Sequence, residues 1–138
     1  MSSIKTTLTG YASYRGREGH WSFLLHRITG LGTGLFLTIH IIDIALVYFA
    51  PAAFIEVMNL YRSTVFGLGE IALVFCVIYH GINGLRIAFF DMYRPKMWAI
   101  PSQRRSTWWT IAISLVLWVP AALFMFIRLV QENYGLFK

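Results

Sequence analysis

Three long apolar runs constrain the fold of this chain more than any other feature. They cover residues 21–50, 64–90 and 107–130. As helices rising about 1.5 Å per residue, each is long enough to cross a hydrocarbon core of roughly 30 Å. Of the 138 residues, 57% are hydrophobic and only 13% are charged, which is too apolar for an ordinary soluble domain. We therefore expect an all-α membrane protein with three transmembrane helices (residues 21–138) after a polar N-terminal arm (residues 1–20).

The cationic residues indicate the orientation in the membrane. They lie mainly at the ends of the apolar runs, where lipid headgroups and membrane topology explain the formal charge of +6, so nucleic-acid binding is set aside. The N-terminal arm and segment 91–106 are basic, whereas segment 51–63 carries only Arg62 and is expected to form a short interfacial helix. Pro95 and Pro101 are expected to prevent a continuous helix across 91–106. The positive-inside rule places that segment and the N-terminus in the cytoplasm.

The N-terminal arm also bears on the compartment. It lacks the apolar core of a secretory signal and the length and arginine content of a mitochondrial presequence. A bacterial or archaeal cytoplasmic membrane is therefore favoured.

A polar stripe interrupts the second apolar run. His80, Asn83, Gly84 and Asp91 are spaced i, i+3, i+4 and i+11, so they share one face of a helix. A neutral imidazole beside glycines and an amide suits a metal ligand whose second nitrogen is oriented by a neighbour. It also suits a histidine that is hydrogen-bonded to another helix. Both interpretations stay open on spacing alone.

The first apolar run has a comparable face. It carries His26, Gly30 and His40 at i, i+4 and i+14, and Gly30 with Gly34 forms a Gly-x-x-x-Gly step that is typical of close helix packing. A hydrogen bond to a neighbouring helix would account for His40 without any ligand.

Haem is one cofactor that histidines in membrane helices bind. It would need an imidazole on each side of the porphyrin and cations for its propionates at the membrane edge. His26, Arg27 and Arg86 are expected near the cytoplasmic edge and could meet the second need. The two arginines could instead reach lipid phosphates, as most arginines at helix ends do.

Two motifs carry a resemblance to a known family. The first is Trp-Ser-Phe-Leu-Leu-His-Arg-Ile-Thr-Gly at residues 21–30, and the second is His-Gly-Ile-Asn-Gly-Leu-Arg at residues 80–86, followed by Asp91. Together they resemble the cytochrome b membrane-anchor subunits of succinate dehydrogenase (succinate:quinone oxidoreductase). The resemblance covers roughly residues 21–95. The third apolar run adds length but no signature.

The resemblance implies specific sites but no catalytic residue in this chain. It implies that His80 is an axial ligand of haem b. The residues near a haem propionate would be His26, Arg27 and Arg86. The residues at a quinone site, for menaquinone or ubiquinone, would be Ser22, Arg27 and Asp91.

Three positions modify that expectation. The family's quinone-contacting serine usually stands three residues before the histidine of the first motif, but Phe23 occupies that position and Ser22 lies about 100° away round the helix. Many members have a second histidine after the arginine of the second motif, where this chain has Ile87. His40 resembles the first-helix histidine of anchors that hold two stacked haems. Counting residues from the helix ends places His40 and His80 at similar depths, so one or two haems are expected.

The resemblance also implies partners. A dihaem arrangement needs four histidines from four helices, so this chain would be half of a bundle that a second membrane-anchor subunit completes. An iron–sulfur subunit and a flavoprotein subunit would dock on the cytoplasmic side, for which the N-terminal arm and segment 91–106 are candidates. Succinate would be oxidised at the flavin and quinone reduced at the membrane.

Other functions and residues stay open at this point. The alternatives are the anchor of a quinol:fumarate reductase, a haem-free quinone anchor and a non-redox structural membrane subunit. Asp43 and Glu70 are acids within the apolar runs. They either carry protons from the outer side, or lie near the interface or bond to a partner subunit.

Overall fold

The computed structural model describes Gly10, residues 18–97 and residues 99–135, so most of the predicted N-terminal arm lies outside the described residues. These segments contain no strand. They form four α-helices and one 3₁₀ turn: α1 (Glu18–Phe49), α2 (Pro51–Tyr61), α3 (Thr64–Tyr93), the turn Pro95–Met97, and α4 (Ile100–Tyr134). The helices α1, α3 and α4 are each long and apolar enough to cross a membrane. The predicted all-α fold with three spans is therefore confirmed.

The connection between α3 and α4 is shorter than the sequence suggested. The helix α4 begins at Ile100 rather than near residue 107, and α3 continues to Tyr93 rather than ending at 90. No continuous helix crosses residues 91–106, as predicted, but the interruption lies between Tyr93 and Ile100, and Pro101 stands in the first turn of α4. There its missing N–H removes no intrahelical hydrogen bond and its fixed φ already suits a helix.

The three long helices alternate in direction, with α3 in the middle contacting both α1 and α4. At one end Arg104 Nε lies 2.9 Å from Glu18 Oε1, which joins the start of α4 to the start of α1. At the other end the hydroxyl oxygens of Thr64 and Tyr134 are 3.3 Å apart. The basic start of α4 therefore lies beside the start of α1, and the cytoplasmic location of that end stays a prediction.

The interior of the bundle is polar and its exterior is apolar. Among the described residues the only buried large hydrophobic side chains are Tyr79 and Phe90. The buried polar residues are Ser22, Thr29, Asp43, Asn83, Thr107, Thr110 and Ser114. Small hydroxyl side chains let helix backbones approach closely, which is how helices associate in lipid without a hydrophobic driving force. The apolar side chains face outward, toward lipid or another subunit.

Besides the contacts of Thr64 at the far end, two side chains of the described residues connect α3 and α4 at well-separated levels. The indole Nε1 of Trp118 donates a hydrogen bond of 3.0 Å to the main-chain oxygen of Ile71. Arg86 donates to Thr107 near the start of α4. Between these levels the buried hydroxyls of Thr110 and Ser114 bond to carbonyls of their own helix.

Candidate functional site

Two histidines from different helices meet near the end of the bundle where α1 begins. The imidazole rings of His26 on α1 and His80 on α3 are stacked, with centroids 4.2 Å apart and planes 5° from parallel. The Nδ1 atom of His80 lies 3.1 Å from the main-chain oxygen of His26. A carbonyl oxygen can only accept, so Nδ1 carries the proton and Nε2 of His80 keeps its lone pair.

Glycines on both helices make this approach possible. A Cβ atom at Gly30 would lie 2.8 Å from Cε1 of His80 and 3.1 Å from its Nδ1. A Cβ atom at Gly84 would lie 3.8 Å from Cε1 of His26. Each histidine is thus followed at i+4 by a glycine that faces the histidine of the other helix. By contrast, a Cβ atom at Gly34 would meet no described residue within 4 Å, so the predicted Gly-x-x-x-Gly step does not pack as a unit against the helices that the structure describes.

The stacked rings are not arranged as the two axial ligands of one haem. Axial imidazoles point their nitrogens toward each other through the iron, whereas His26 and His80 face each other through their ring planes. The Nδ1 atom of His26 is buried and has no hydrogen-bond partner in the part of the chain that the structure describes. If His80 binds iron in this arrangement, its opposite ligand is therefore a residue other than His26.

Arg86 is the centre of a cluster of hydroxyl groups that joins α1, α3 and α4. Its Nη1 donates to the hydroxyls of Thr107 and Ser106, the latter at 3.3 Å, and its Nη2 donates to Ser22 Oγ at 3.2 Å. All three acceptors are neutral, and Arg86 has no carboxylate partner within the described segments. Its Nε is buried and finds no hydrogen-bond partner among the described residues. A partly desolvated cation of this kind is stabilised by a nearby anion.

Ser22 belongs to this cluster. Its hydroxyl also lies 3.3 Å from the phenol oxygen of Tyr79 and donates at 3.3 Å to Oδ1 of Asn83. A mostly apolar cavity of about 350 Å³ opens beside these groups and is bordered by Trp21 and Trp108. The cavity has the size and polarity of a site for a flat apolar ligand.

The three predicted quinone residues are not brought into contact with one another. Ser22 is buried in the Arg86 cluster. Arg27 is exposed, with its guanidinium carbon 5.2 Å from the ring centroid of Phe23, and Asp91 is exposed in the last turn of α3. Both charged residues are therefore on the surface of this chain.

His40 lies far from His80 along the bundle. His80 packs against Gly30, and His40 is ten residues farther along α1, which corresponds to about 15 Å. The expectation that the two histidines lie at similar depths is therefore wrong. It came from counting residues inward from estimated helix ends, which cannot give the register between two helices. His40 is exposed and its ring is stacked on Phe36 with centroids 5.6 Å apart.

A second cavity surrounds His40. It has a volume of about 380 Å³ and its polar lining consists of His40, Asp43, Tyr61 and Glu70. The phenol of Tyr61 donates a 2.9 Å hydrogen bond to Oδ2 of Asp43, which ties α2 to α1. Asp43 is thus buried and bonded within this chain, while Glu70 is exposed at the cavity wall. A role of either acid in proton transfer stays a hypothesis.

The third long helix contributes side chains that the sequence analysis missed. Thr107, Thr110 and Ser114 are buried on one face of α4, and Thr107 receives a hydrogen bond from Arg86. Their spacing of i, i+3 and i+7 is a helical polar stripe, which the sequence analysis did not identify. Tyr79 was also missed, because nothing in its immediate sequence marks it as the buried partner of Ser22.

Comparisons with known proteins agree with these motifs. Residues 2–121 match the family model described as succinate dehydrogenase/fumarate reductase transmembrane subunit. The chain is also similar to the succinate dehydrogenase 2 membrane subunit SdhC of Mycobacterium tuberculosis, with 35% identity over 109 residues that cover 78% of this chain and 77% of the relative. The region that the family model matches contains α1, α3, the first part of α4 and the paired His-x-x-x-Gly motifs. The chain therefore belongs to the family of transmembrane subunits of succinate dehydrogenase and fumarate reductase.

Proposed function

We propose that this chain is the membrane anchor of a succinate:quinone oxidoreductase, in which it binds haem b and forms part of the quinone-reduction site. The observation that carries the proposal is the hydrogen bond between Nδ1 of His80 and the main-chain oxygen of His26. It orients a neutral imidazole with Nε2 available, which is the arrangement that metal-ligating histidines usually have.

Haem b fits the residues around His80 in donor chemistry and in charge. The imidazole of His80 supplies an oriented nitrogen ligand, and Arg86 supplies a cation with no carboxylate partner in the described segments. A haem propionate is an anion that Arg86 could bind, with His26 and Arg27 as the other proposed residues near the propionates. Haem supplies one-electron transfer when it is bound. The residues of this chain bind it, orient it and offset its charge.

A second membrane-anchor subunit is part of the proposal. The outward-facing apolar surfaces of α1 and α3 leave room for it, and the imidazole that binds iron opposite His80 would come from it. His40 is proposed as the ligand of a second haem, about 15 Å farther along α1 than the Gly30 level. That separation supports two distinct haem sites, and the number of haems can be decided by a haemochrome assay of the His40 and His80 variants.

The quinone site is proposed at the end of the bundle where α1 begins. Arg27 and Asp91 are exposed there and would line the site together with the second anchor subunit. Arg27 would donate a hydrogen bond to a quinone carbonyl and stabilise negative charge on that oxygen during reduction. Ser22 would reach the quinone only through the cavity beside Tyr79, because its hydroxyl is shared with Arg86.

We further propose that this end faces the cytoplasm of a bacterial cell and carries the docking surface for the iron–sulfur subunit, through which the flavoprotein is attached. The basic residues at the start of α4 support this orientation. We propose that electrons flow from succinate to quinone, because the chain is similar to a succinate dehydrogenase subunit. A quinol:fumarate reductase is the second candidate, because the family model covers both enzymes.

The first experiment is a pyridine haemochrome assay on the purified complex, with protein quantitation. It compares the wild type with His80→Ala, His40→Ala and the control Leu85→Ala, whose side chain is exposed on α3. Loss of haem in His80→Ala but not in Leu85→Ala supports the proposal. If each histidine variant loses one of two haems, the anchor is dihaem. Wild-type complex without haem, or full haem in His80→Ala, would refute it.

The second candidate is tested on the same preparation. Succinate-driven reduction of a menaquinone or ubiquinone analogue is compared with quinol-driven reduction of fumarate. A complex that reduces fumarate much faster than it oxidises succinate would favour the fumarate reductase.

A further inference from the structure

We infer that the turn His26–Gly30 of α1 is a positioning element for His80, in which a main-chain carbonyl sets the tautomer of the imidazole and a glycine leaves space for its ring. The inference rests on the proposed function that His80 binds haem iron. It assigns roles to the main chain of His26 and to Gly30 that neither motif nor family membership provides.

The carbonyl of His26 is available for this role although it lies inside a helix. Its oxygen has two lone pairs, and the α-helix uses one of them for the N–H of Gly30. The hydroxyl of Thr29 lies 3.1 Å from the same oxygen but only 2.7 Å from the oxygen of Leu25, which is its better acceptor. The remaining lone pair of the His26 oxygen thus receives Nδ1–H of His80 at 3.1 Å.

Gly30 sets the distance between the imidazole and α1. The atom of His80 nearest to a Cβ at position 30 is Cε1, which stands between the two ring nitrogens. A methyl group there would have to move the ring by roughly 0.6 Å, from 2.8 Å to the 3.4 Å at which ordinary contact begins. Such a displacement draws Nδ1 away from the carbonyl and changes the direction of Nε2 at the same time.

The ring of His26 completes the arrangement by packing rather than by hydrogen bonding. It lies parallel to the ring of His80 at 4.2 Å, on the side of α3 where Gly84 leaves space, since a Cβ atom at position 84 would lie 3.8 Å from Cε1 of His26. Rotation of His80 out of its plane would therefore bring its ring against the ring of His26. His26 is in this respect a positioning residue, in addition to its proposed place near a propionate.

The test uses alanine substitutions in the assembled, haem-loaded complex. Gly30→Ala is compared with Gly34→Ala, one turn farther along α1 with nothing within 4 Å, and with Gly84→Ala, where the new methyl would make ordinary contact at 3.8 Å. The readouts are the low-spin EPR signal, which reports axial-ligand orientation, and the rate of haem transfer to excess apomyoglobin.

We expect Gly30→Ala to shift the EPR signal and to raise the rate of haem loss by about 10- to 100-fold, the usual cost of losing a group that orients a metal ligand. Gly34→Ala and Gly84→Ala should match the wild type. An unchanged Gly30→Ala, or an equal effect in Gly34→Ala, would overturn the inference while leaving haem binding by His80 intact. Retention of haem in His80→Ala would instead refute the proposed function.

If Gly30→Ala does not assemble, the wild-type complex decides the question. Electron–nuclear double resonance should detect a hydrogen-bonded Nδ1 proton on the axial histidine of this haem, protected from exchange in D₂O. An unbonded or rapidly exchanging proton would overturn the inference.

Discussion

Replacement of Arg86 by methionine should weaken haem binding and leave the helix bundle assembled. The side chain donates hydrogen bonds to Ser22, Ser106 and Thr107. When it is removed, Ser22 retains its contacts with Tyr79 and Asn83, and Ser106 still donates to a main-chain oxygen of its own helix. Only the Thr107 hydroxyl is left without another partner among the described residues. An orphaned hydroxyl costs about 1–3 kcal/mol, which removal of a partly desolvated cation partly offsets.

The effect on haem is expected to be larger than the effect on folding. A hydrogen bond between Arg86 and a propionate would be charge-assisted and worth about 1.5–3 kcal/mol. At about 1.4 kcal/mol for each factor of ten, Arg86→Met should weaken haem binding by about 10- to 150-fold. Arg86→Lys keeps the charge, but one ammonium group cannot replace the planar guanidinium, which bonds to α1 and α4 at the same time. The rate of haem loss from Arg86→Lys should therefore lie between those of the wild type and Arg86→Met.

The assay measures haem transfer to apomyoglobin and the melting temperature of the purified complex in parallel. Arg128→Met is the control, because that arginine is exposed in α4 and its guanidinium lies 6.0 Å from the ring of Phe124. A lowered melting temperature with wild-type haem retention in Arg86→Met would show that Arg86 only joins the helices. That result would refute its assignment to a propionate.

Two further predictions concern packing away from the histidines. Gly67→Ala should lower the melting temperature, because its methyl group would overlap Cδ1 of Leu129 and lie 3.1 Å from Cδ2, and overpacking costs about 1–3 kcal/mol. The control Gly69→Ala, whose methyl group would meet no described residue within 4 Å, should leave the melting temperature unchanged. Equal effects of the two substitutions would contradict the packing of α3 on α4. Tyr61→Phe should make α2 more susceptible to proteolysis, since it removes the bond to Asp43. Burial, and then the hydrogen bond to Asp43, raise the pKa of Tyr61 in the folded protein. The stabilisation of α2 by this hydrogen bond should therefore be complete below the usual tyrosine pKa of about 10, and it should disappear as the pH rises through the higher pKa of the folded state. If the wild type and Tyr61→Phe still differ in the rate of proteolysis at a pH far above the pKa of Tyr61, the proposed role of this hydrogen bond would be contradicted.

The helices were predictable because each is specified locally, by the length of an apolar run. The same holds for which face of α3 carries His80, since periodicity within one helix fixes the relative angle of its side chains. The contact between His80 and the carbonyl of His26 was not predictable, because it depends on the axial register of two helices. The periodicity of side chains within α1 or within α3 does not determine that register.

The role of a residue also depended on its position relative to helix ends that the sequence located only approximately. Pro95 and Pro101 were correctly predicted to interrupt the helix, but the start of α4 at Ile100 places Pro101 in the first turn of that helix, where it is favourable. Arg86 and Ser22 were both identified as site residues, but their hydrogen bond joins different helices, and Ser22 was assigned to quinone alone.

The attachment of α4 through Trp118 and Arg86 has a mechanical consequence. The residues that hold it, Ile71 and Arg86 on α3, are 15 positions apart, or about 22 Å, whereas Trp118 and Thr107 on α4 are 11 apart, or about 16 Å. The reach of the arginine side chain makes up the difference. Together with the contact between Thr64 and Tyr134, these hydrogen bonds hold α4 at three levels, so the helix cannot roll about its own axis without releasing all of them.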